Sequence, residues 1–162
     1  MGLLIGIYTA FNKGAPMEPH QSIDVMRGHG LANDRYALQR GSWKARGEVR
    51  HKPKHQVTLI AIEDIVAANQ DRPFELQFSP NETRRNLVTE GIELRTLIGK
   101  EIVIGHSVRL RAIEEAAPCE RPSTLCGKLG FAEAIKFGGL NCEILEGGPI
   151  ALSDEISCTE KL

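Results

Sequence analysis

Apolar residues come in short runs with a period near two, and turn residues separate the runs. Leu3 to Tyr8 places Leu3, Ile5 and Ile7 on one face and Leu4, Gly6 and Tyr8 on the other, which predicts a buried strand. Residues 22–26 predict a short strand. Gln56-Val57-Thr58-Leu59-Ile60 is β-branched and apolar, a strand pattern. Ile62, Ile65, Val66 and Asn69 then follow at helical spacing. They predict a short amphipathic helix over 61–69, ended by Gln70-Asp71-Arg72-Pro73. Leu94, Leu97 and Ile98 predict a helical turn closed by Gly99-Lys100. Residues 101–104, a turn at Gly105 and residues 108–113 predict a strand hairpin, with Val108, Leu110 and Ala112 inward. After Pro122, the residues Leu125, Leu129, Ala132 and Ile135 mark one face of a helix. Ser123 is its candidate N-cap and Gly138-Gly139 its stop. Residues 140–145, a turn at Glu146-Gly147-Gly148 and residues 149–152 predict a last hairpin. Residues 153–156 close the domain.

That is about eight to ten short strands against two or three helices, with frequent turn signals and no regular βαβ alternation. The pattern predicts a mostly β protein, a mainly antiparallel β-barrel with two or three short helices. The chain has 162 residues, enough for one domain with a real core. A formal net charge of -1 with 25% charged residues gives no global argument for nucleic-acid or membrane binding. The apolar start, Met1 to Ile7, is too short for a membrane span and lacks a basic flank and a cleavage site. The expected setting is cytoplasmic, with reduced thiols. All four cysteines, Cys119, Cys126, Cys142 and Cys158, lie in the last third and form no CxxC. A zinc knuckle or a thioredoxin-like pair is therefore not expected. Cys126 reads as packing, while Cys142 falls in a strand and Cys158 in a frayed tail, so neither of these two is expected to be a ligand.

The chemistry gathers around Ala116-Ala117-Pro118-Cys119-Glu120-Arg121-Pro122. There an alternating strand ends, proline stiffens the backbone, and a thiol follows at the strand's mouth. Cys119 is a candidate soft ligand or nucleophile; the plainer alternative is a small buried hydrophobe. Lys13 sits in the turn Asn12-Lys13-Gly14-Ala15-Pro16 and offers a cation, or is simply solvated. Gly28-His29-Gly30 lets the backbone approach a ligand closely, although Asn33 stands where a dinucleotide fingerprint needs its third glycine. Asp34-Arg35 beside it reads as an anion-binding Arg steadied by a carboxylate, or as a surface ion pair. Residues 44–55 carry five Lys or Arg and a single acid, a long basic loop suited to a phosphate-bearing ligand. In Arg84-Arg85-Asn86, an extended chain would put Arg84 and Asn86 on one side. An Arg fork and an amide together can grip a phosphate or a heterocycle edge. An exposed charged face is the alternative.

Taken in order, these segments resemble a known family. They are Lys13-Gly14, Gly28-His29-Gly30 with Asp34-Arg35, Gln56 to Ile60, Arg84-Arg85-Asn86-Leu87-Val88, Leu97-Ile98-Gly99-Lys100, Pro118-Cys119, Gly138-Gly139-Leu140, Leu145-Glu146-Gly147-Gly148 and Asp154-Glu155-Ile156. Their order and spacing resemble the MOSC domain, named after the C-terminal domain of molybdenum cofactor sulfurase, and more closely its small stand-alone prokaryotic members. The resemblance covers about residues 4–157, a single domain within 1–162.

It implies a β-barrel that binds a molybdenum-pterin cofactor. Arg35 resembles the Arg of the family's Gly-Asp-Arg motif, with Asp34 beside it. Arg84 and Asn86 resemble the pair that grips the pterin phosphate, Lys13 a further cation, and Cys119 the thiolate ligand to molybdenum. Where the family has Gly-Asp-Arg-His, this chain has Asn33-Asp34-Arg35-Tyr36, which removes that histidine from any proton transfer. The implied function is an oxidoreductase domain reducing N-hydroxylated or related substrates, its electrons coming from a separate donor protein. A second expectation is a sulfur carrier or cofactor-delivery protein whose Cys119 takes a persulfide from a PLP-dependent desulfurase. A third is a non-catalytic barrel for another phosphorylated ligand. Cofactor-biosynthesis proteins are the other expected partners. No PLP site is recognisable in the chain.

Overall fold

The computed structural model describes residues 1–38 and 55–159. The basic loop noted above falls largely outside the described residues.

Seven strands close into a barrel. They are β1 (Gly2–Thr9), β5 (Val57–Ala61), β6 (Leu87–Glu90), β7 (Glu101–Ile104), β8 (Val108–Glu115), β9 (Leu140–Glu146) and β11 (Glu155–Thr159). Their order around the wall is β11-β7-β8-β9-β5-β6-β1, and β1 pairs with β11 to complete the ring. All pairings are antiparallel except β5 with β6. That parallel pair is joined by a crossover containing helix α1 (Ile62–Asn69), as parallel neighbours require. The mainly antiparallel barrel expected from the sequence is therefore present. Leu4, Leu59, Ile102, Leu110, Ala112, Leu140 and Ile156 fill its interior with no exposed surface. A smaller apolar cluster outside the barrel joins Ile65 and Ala68 of α1 to Phe78, Val88, Phe131 and Ile135. A short β2 (Glu18–Pro19) extends β1.

Five local expectations are corrected. The first strand does not bury Leu3, Ile5 and Ile7 together: Leu3 and Ile5 are exposed, whereas Leu4 and Ile7 are buried. A register shift between Leu4 and Gly6 inserts one residue, and such a bulge changes which face the strand presents. The helix expected after Pro122 is two helices, α2 (Arg121–Cys126) and α3 (Phe131–Ala134). Gly127 and Gly130 break it by taking positive φ, and Leu125 and Leu129 stay exposed. Ser123 does not cap α2; its Oγ accepts the N–H of Phe131 at 2.9 Å and so serves the start of α3.

The last hairpin is not formed. β10 (Gly148–Ala151) leaves the barrel and pairs with β3 (Ser22–Met26), which also pairs with β4 (Gly30–Leu31). Gly147 permits the departure, because a Cβ there would lie 2.4 Å from the Val25 carbonyl oxygen. Cys158, finally, is not frayed: it lies in β11 opposite Ile102.

Candidate functional site

β8 runs out of the barrel at Glu115 and leads through Ala116-Ala117-Pro118 to Cys119, which is exposed. Arg85 sets the course of that segment. Its Nε donates to the Gly138 carbonyl at 2.8 Å, and its Nη2 donates to the carbonyls of Ala116 at 2.9 Å and Ala117 at 3.4 Å. A guanidinium fork is rigid and planar, so it can hold two neighbouring backbone segments at once. Burial, the largest influence, lowers the Arg85 pKa to about 10, partly offset by Cys119 and Glu115 and reinforced by Arg35. Arg85 is thus spent on the backbone that carries the thiol, a role sequence reading missed.

The other arginines converge on the same thiol. Lys13, Arg35, Arg84, Arg85, Arg121 and Pro122 line one cleft with Cys119. Arg84 does not extend into β6. It caps the 3₁₀ turn Pro80–Thr83 with φ 66°, and its Nη1 donates to the Ala15 carbonyl. Arg35 is held by Asp34, which is buried with 2% exposure. Asp34 Oδ1 accepts from Arg35 Nη1 at 3.3 Å and from the Ala10 N–H at 3.0 Å. Arg35 also reaches Met17 Sδ at 3.3 Å and the Arg84 carbonyl at 3.5 Å. Asp34-Arg35 is therefore not a surface ion pair: the carboxylate anchors one side of the cleft and aims the guanidinium. Arg121 Nη2 lies 3.5 Å from the Cβ position of Gly14, which brings α2 against the turn that carries Lys13.

Three of these cations repel one another. Burial first, then Arg35 and Arg121, lower the Arg84 pKa to about 10, with Asp34 opposing. Burial also lowers Arg35, which Asp34 offsets and Arg121 reinforces. Like charges gathered in a partly dry cleft cost folding energy unless an anion joins them.

Asn86 occupies a different position from the expected phosphate grip. It is 4% exposed and braces three strands. Its Oδ1 accepts the Thr58 N–H at 3.1 Å and the Thr58 hydroxyl at 3.2 Å, and its Nδ2 donates to the Tyr8 carbonyl at 3.1 Å. It still lines a second lobe that opens at Cys119 on the other side from Lys13. That lobe, about 410 Å3, shares Arg35, Arg84, Arg85 and Cys119 with the first. It continues along Thr58, Asn86, Glu114, Glu115 and Asn141. Tyr36 also borders it, and burial raises that phenol to about 12, so it is a neutral hydroxyl at physiological pH.

The glycine loop serves a turn. Gly28 and Gly30 have φ 76° and 119° between β3 and β4, and His29 is exposed and lines neither lobe. Of the residues expected from the sequence, Lys13, Asp34, Arg35, Arg84, Asn86 and Cys119 therefore meet around one opening. Arg121, Glu114, Glu115 and Asn141 join them without having been foreseen. Arg121 is only two positions from Cys119, and that proximity was the available signal.

A cavity of about 450 Å3 lies at the other end of the β5–β6 pair, lined by Glu63, Asp64, Glu93, Arg95, Lys136 and Phe137 among others. It mixes charges of both signs and holds no thiol. The Cys119 cleft, although no larger, combines a soft donor with converging cations, the chemistry that marks a site.

The MOSC domain family model matches residues 46–157. The chain belongs to the MOSC domain family. No curated protein matches its sequence. Among solved structures, the YuaD protein from Bacillus subtilis superposes with a TM-score of 0.73 at 18% identity, covering 98% of this chain and 96% of that one. YiiM from Escherichia coli gives 0.68 at 14%, covering 100% and 71%. YiiM from Geobacillus stearothermophilus gives 0.64 at 12%, covering 98% and 73%. At these identities the likeness concerns the fold. In this MOSC domain, no helix among the described residues is long and apolar enough to cross a membrane.

The cleft suits the family's molybdenum-pterin group. Among the described residues no three His, Cys, Asp or Glu side chains gather to hold a metal ion. The converging cations of Lys13, Arg35, Arg84 and Arg121 beside Cys119 fit the chemistry of a group that carries a phosphate.

Proposed function

We propose that this MOSC domain binds a molybdenum-pterin cofactor at the Cys119 cleft and serves as an oxidoreductase domain for N-hydroxylated or related substrates. The observation that carries the reading is the convergence of Lys13, Arg35, Arg84 and Arg121 on a cleft that holds one thiol. Cys119 would be the protein's ligand to molybdenum, since a thiolate suits a thiophilic metal. Arg35, Arg84, Arg121 and Lys13 would hold the phosphate, and Asp34 fixes Arg35 in the orientation this needs. Asn86 keeps the wall of the adjoining lobe in register through Thr58 and Tyr8. When bound, the cofactor supplies oxygen-atom transfer chemistry. Its electrons would come from a partner donor protein.

The test is elemental analysis of the purified protein for molybdenum and tungsten, with fluorescence of the oxidised pterin released on denaturation. The protein should be produced in a host that makes the cofactor, with Cys119→Ser alongside. Metal and pterin in the native protein, with metal lost in the variant, is the expected result. Absence of both would overturn the reading.

The exposure of Cys119 favours a second reading, a sulfur carrier. An accessible thiol beside guanidinium groups can take a persulfide from a PLP-dependent desulfurase and pass it on. Under that reading Cys119→Ser keeps ligand affinity but loses a sulfur adduct of 32 Da by mass spectrometry (about one sulfur atom, from the chemistry of persulfides).

A further inference from the structure

The two lobes that meet at Cys119 share Arg35, Arg84 and Arg85 but differ in the walls they do not share. On one side stand Lys13 and Arg121. On the other, the end of β8 and the start of β9 bring Glu114, Glu115 and Asn141 into the cavity wall. A register shift between Ala112 and Glu114 breaks the alternation of β8 there, setting Glu114 opposite Asn141 and Glu115 opposite Leu140. Both carboxylates border the cavity, where β8 runs out of the barrel wall.

This wall also keeps unused hydrogen-bonding capacity. Asn141 is 9% exposed, and its Nδ2 donates to Glu114 Oε1 at 3.3 Å. Its Oδ1 accepts nothing among the described residues. Asn86 is 4% exposed, and its Oδ1 is fixed by two donors from Thr58, which settles the amide orientation. One Nδ2 hydrogen goes to Tyr8, and the other has no acceptor among the described residues. Among the described residues Glu115 uses only Oε2, which accepts the Gly138 N–H at 3.3 Å. Buried amide atoms without partners are uncommon in folded proteins, and where they line a cavity they point to a ligand.

We infer that the Glu115–Asn141 wall is a recognition site for a heterocycle that presents adjacent N–H donors, the 2-amino-4-oxopyrimidine edge of a phosphorylated pterin. The inference rests on the cofactor reading above and adds which residues choose the ring. A carboxylate accepts two parallel N–H bonds from an amino group and its ring neighbour, as it does from a guanidinium. The spare Asn86 donor meets a ring acceptor and the Asn141 carbonyl a further donor, while the phosphate falls to the basic lobe. Ring and phosphate are thereby sorted by charge across Cys119.

The probes are neopterin monophosphate, its lumazine counterpart with oxygen in place of the 2-amino group, and inorganic phosphate. Each is titrated into the full chain by calorimetry, with melting curves confirming that every variant is folded. The native protein should bind the pterin ester at least about tenfold more tightly than the lumazine ester, the value of one hydrogen bond to a charged group. Glu115→Gln replaces an acceptor by a donor, so it should cancel or reverse that preference without weakening phosphate, since it removes a negative charge from the cleft. Arg121→Ala should weaken all three probes and keep the preference. Equal affinity for both esters in the native protein overturns this inference and leaves the cofactor reading standing. So does a preference that survives Glu114→Gln and Glu115→Gln. Failure of the native protein to bind any of the three overturns both.

Discussion

Lys128 Nζ lies 2.7 Å from Glu82 Oε1, and this pair fastens the turn before Arg84 to the segment after α2. Both side chains are mostly buried, at 24% and 16% exposure. Lys128 also donates to the Gln77 carbonyl at 2.8 Å. Glu82 Oε1 in turn accepts the Ser79 N–H at 2.9 Å and the Ser79 hydroxyl at 2.6 Å. The two halves of the basic cleft are thus tied together by a bond that touches neither ligand nor thiol.

Burial opposes ionisation of Glu82, but its bonds to Lys128 and Ser79 outweigh that and hold its carboxyl below the ordinary value of 4.5. A carboxyl lowered in the folded state contributes stability that is complete above the ordinary value and is lost as pH falls through the folded one. Glu82→Gln should therefore cost about 1–3 kcal/mol at pH 7. Its deficit against the native protein should shrink in urea denaturation carried below about pH 4.

Arg85 holds the backbone that carries Cys119. Arg85→Met strips the donors from the Gly138, Ala116 and Ala117 carbonyls and should destabilise the protein by about 2–4 kcal/mol in chemical denaturation. Arg85→Lys should recover only part of this, because an ammonium cannot span the same carbonyls.

The depressed pKa of Arg84, about 10, means that its charged form costs folding stability at every pH below that value. Removing a neighbouring cation should relieve the cost. Arg121→Ala should leave the melting temperature unchanged or raise it in anion-free buffer. Phosphate should raise the melting temperature of the native protein and do so less in the variant.

Gly139 has φ 103°, and a Cβ there would lie 1.9 Å from the Leu59 carbonyl oxygen; at Gly138 it would lie 2.0 Å from that of Ala116. The contacts are backbone on backbone, so neither side can turn away. Gly139→Ala should cost more than about 3 kcal/mol or leave the chain insoluble, measured by denaturation and yield.

The thiols should separate by accessibility. Cys119 is exposed, Cys126 and Cys158 are half-buried, and Cys142 is fully buried, with burial raising its pKa. Iodoacetamide under native conditions should label Cys119 first and leave Cys142 untouched until denaturant is added. Early labelling of Cys142 would mean that the β8–β9 wall opens.

The sequence by itself determined the strands whose alternation is regular, such as Val108, Leu110 and Ala112 in β8, because a buried face leaves a period of two in the residue types. It also carried the family, through the order of Lys13, Asp34-Arg35, Arg84-Arg85-Asn86 and Pro118-Cys119. Only the tertiary structure decided what those residues do. A bulge at Leu4–Gly6 exchanged the faces of β1, and a second at Ala112–Glu114 reset the pairing of the two glutamates that end β8. Neither leaves a periodic signal. Arg84, Arg85 and Asn86 are adjacent in the chain yet go to the cleft, to the backbone under Cys119 and to a brace between strands. The left-handed turn at Arg84 and the partners waiting 28 to 78 residues away make that division, and separations of that length are not legible in a local pattern. Arg121 is the exception, two positions from Cys119 in the chain, whereas Lys13, Arg35 and Arg84 reach the thiol only because folding brings distant segments together.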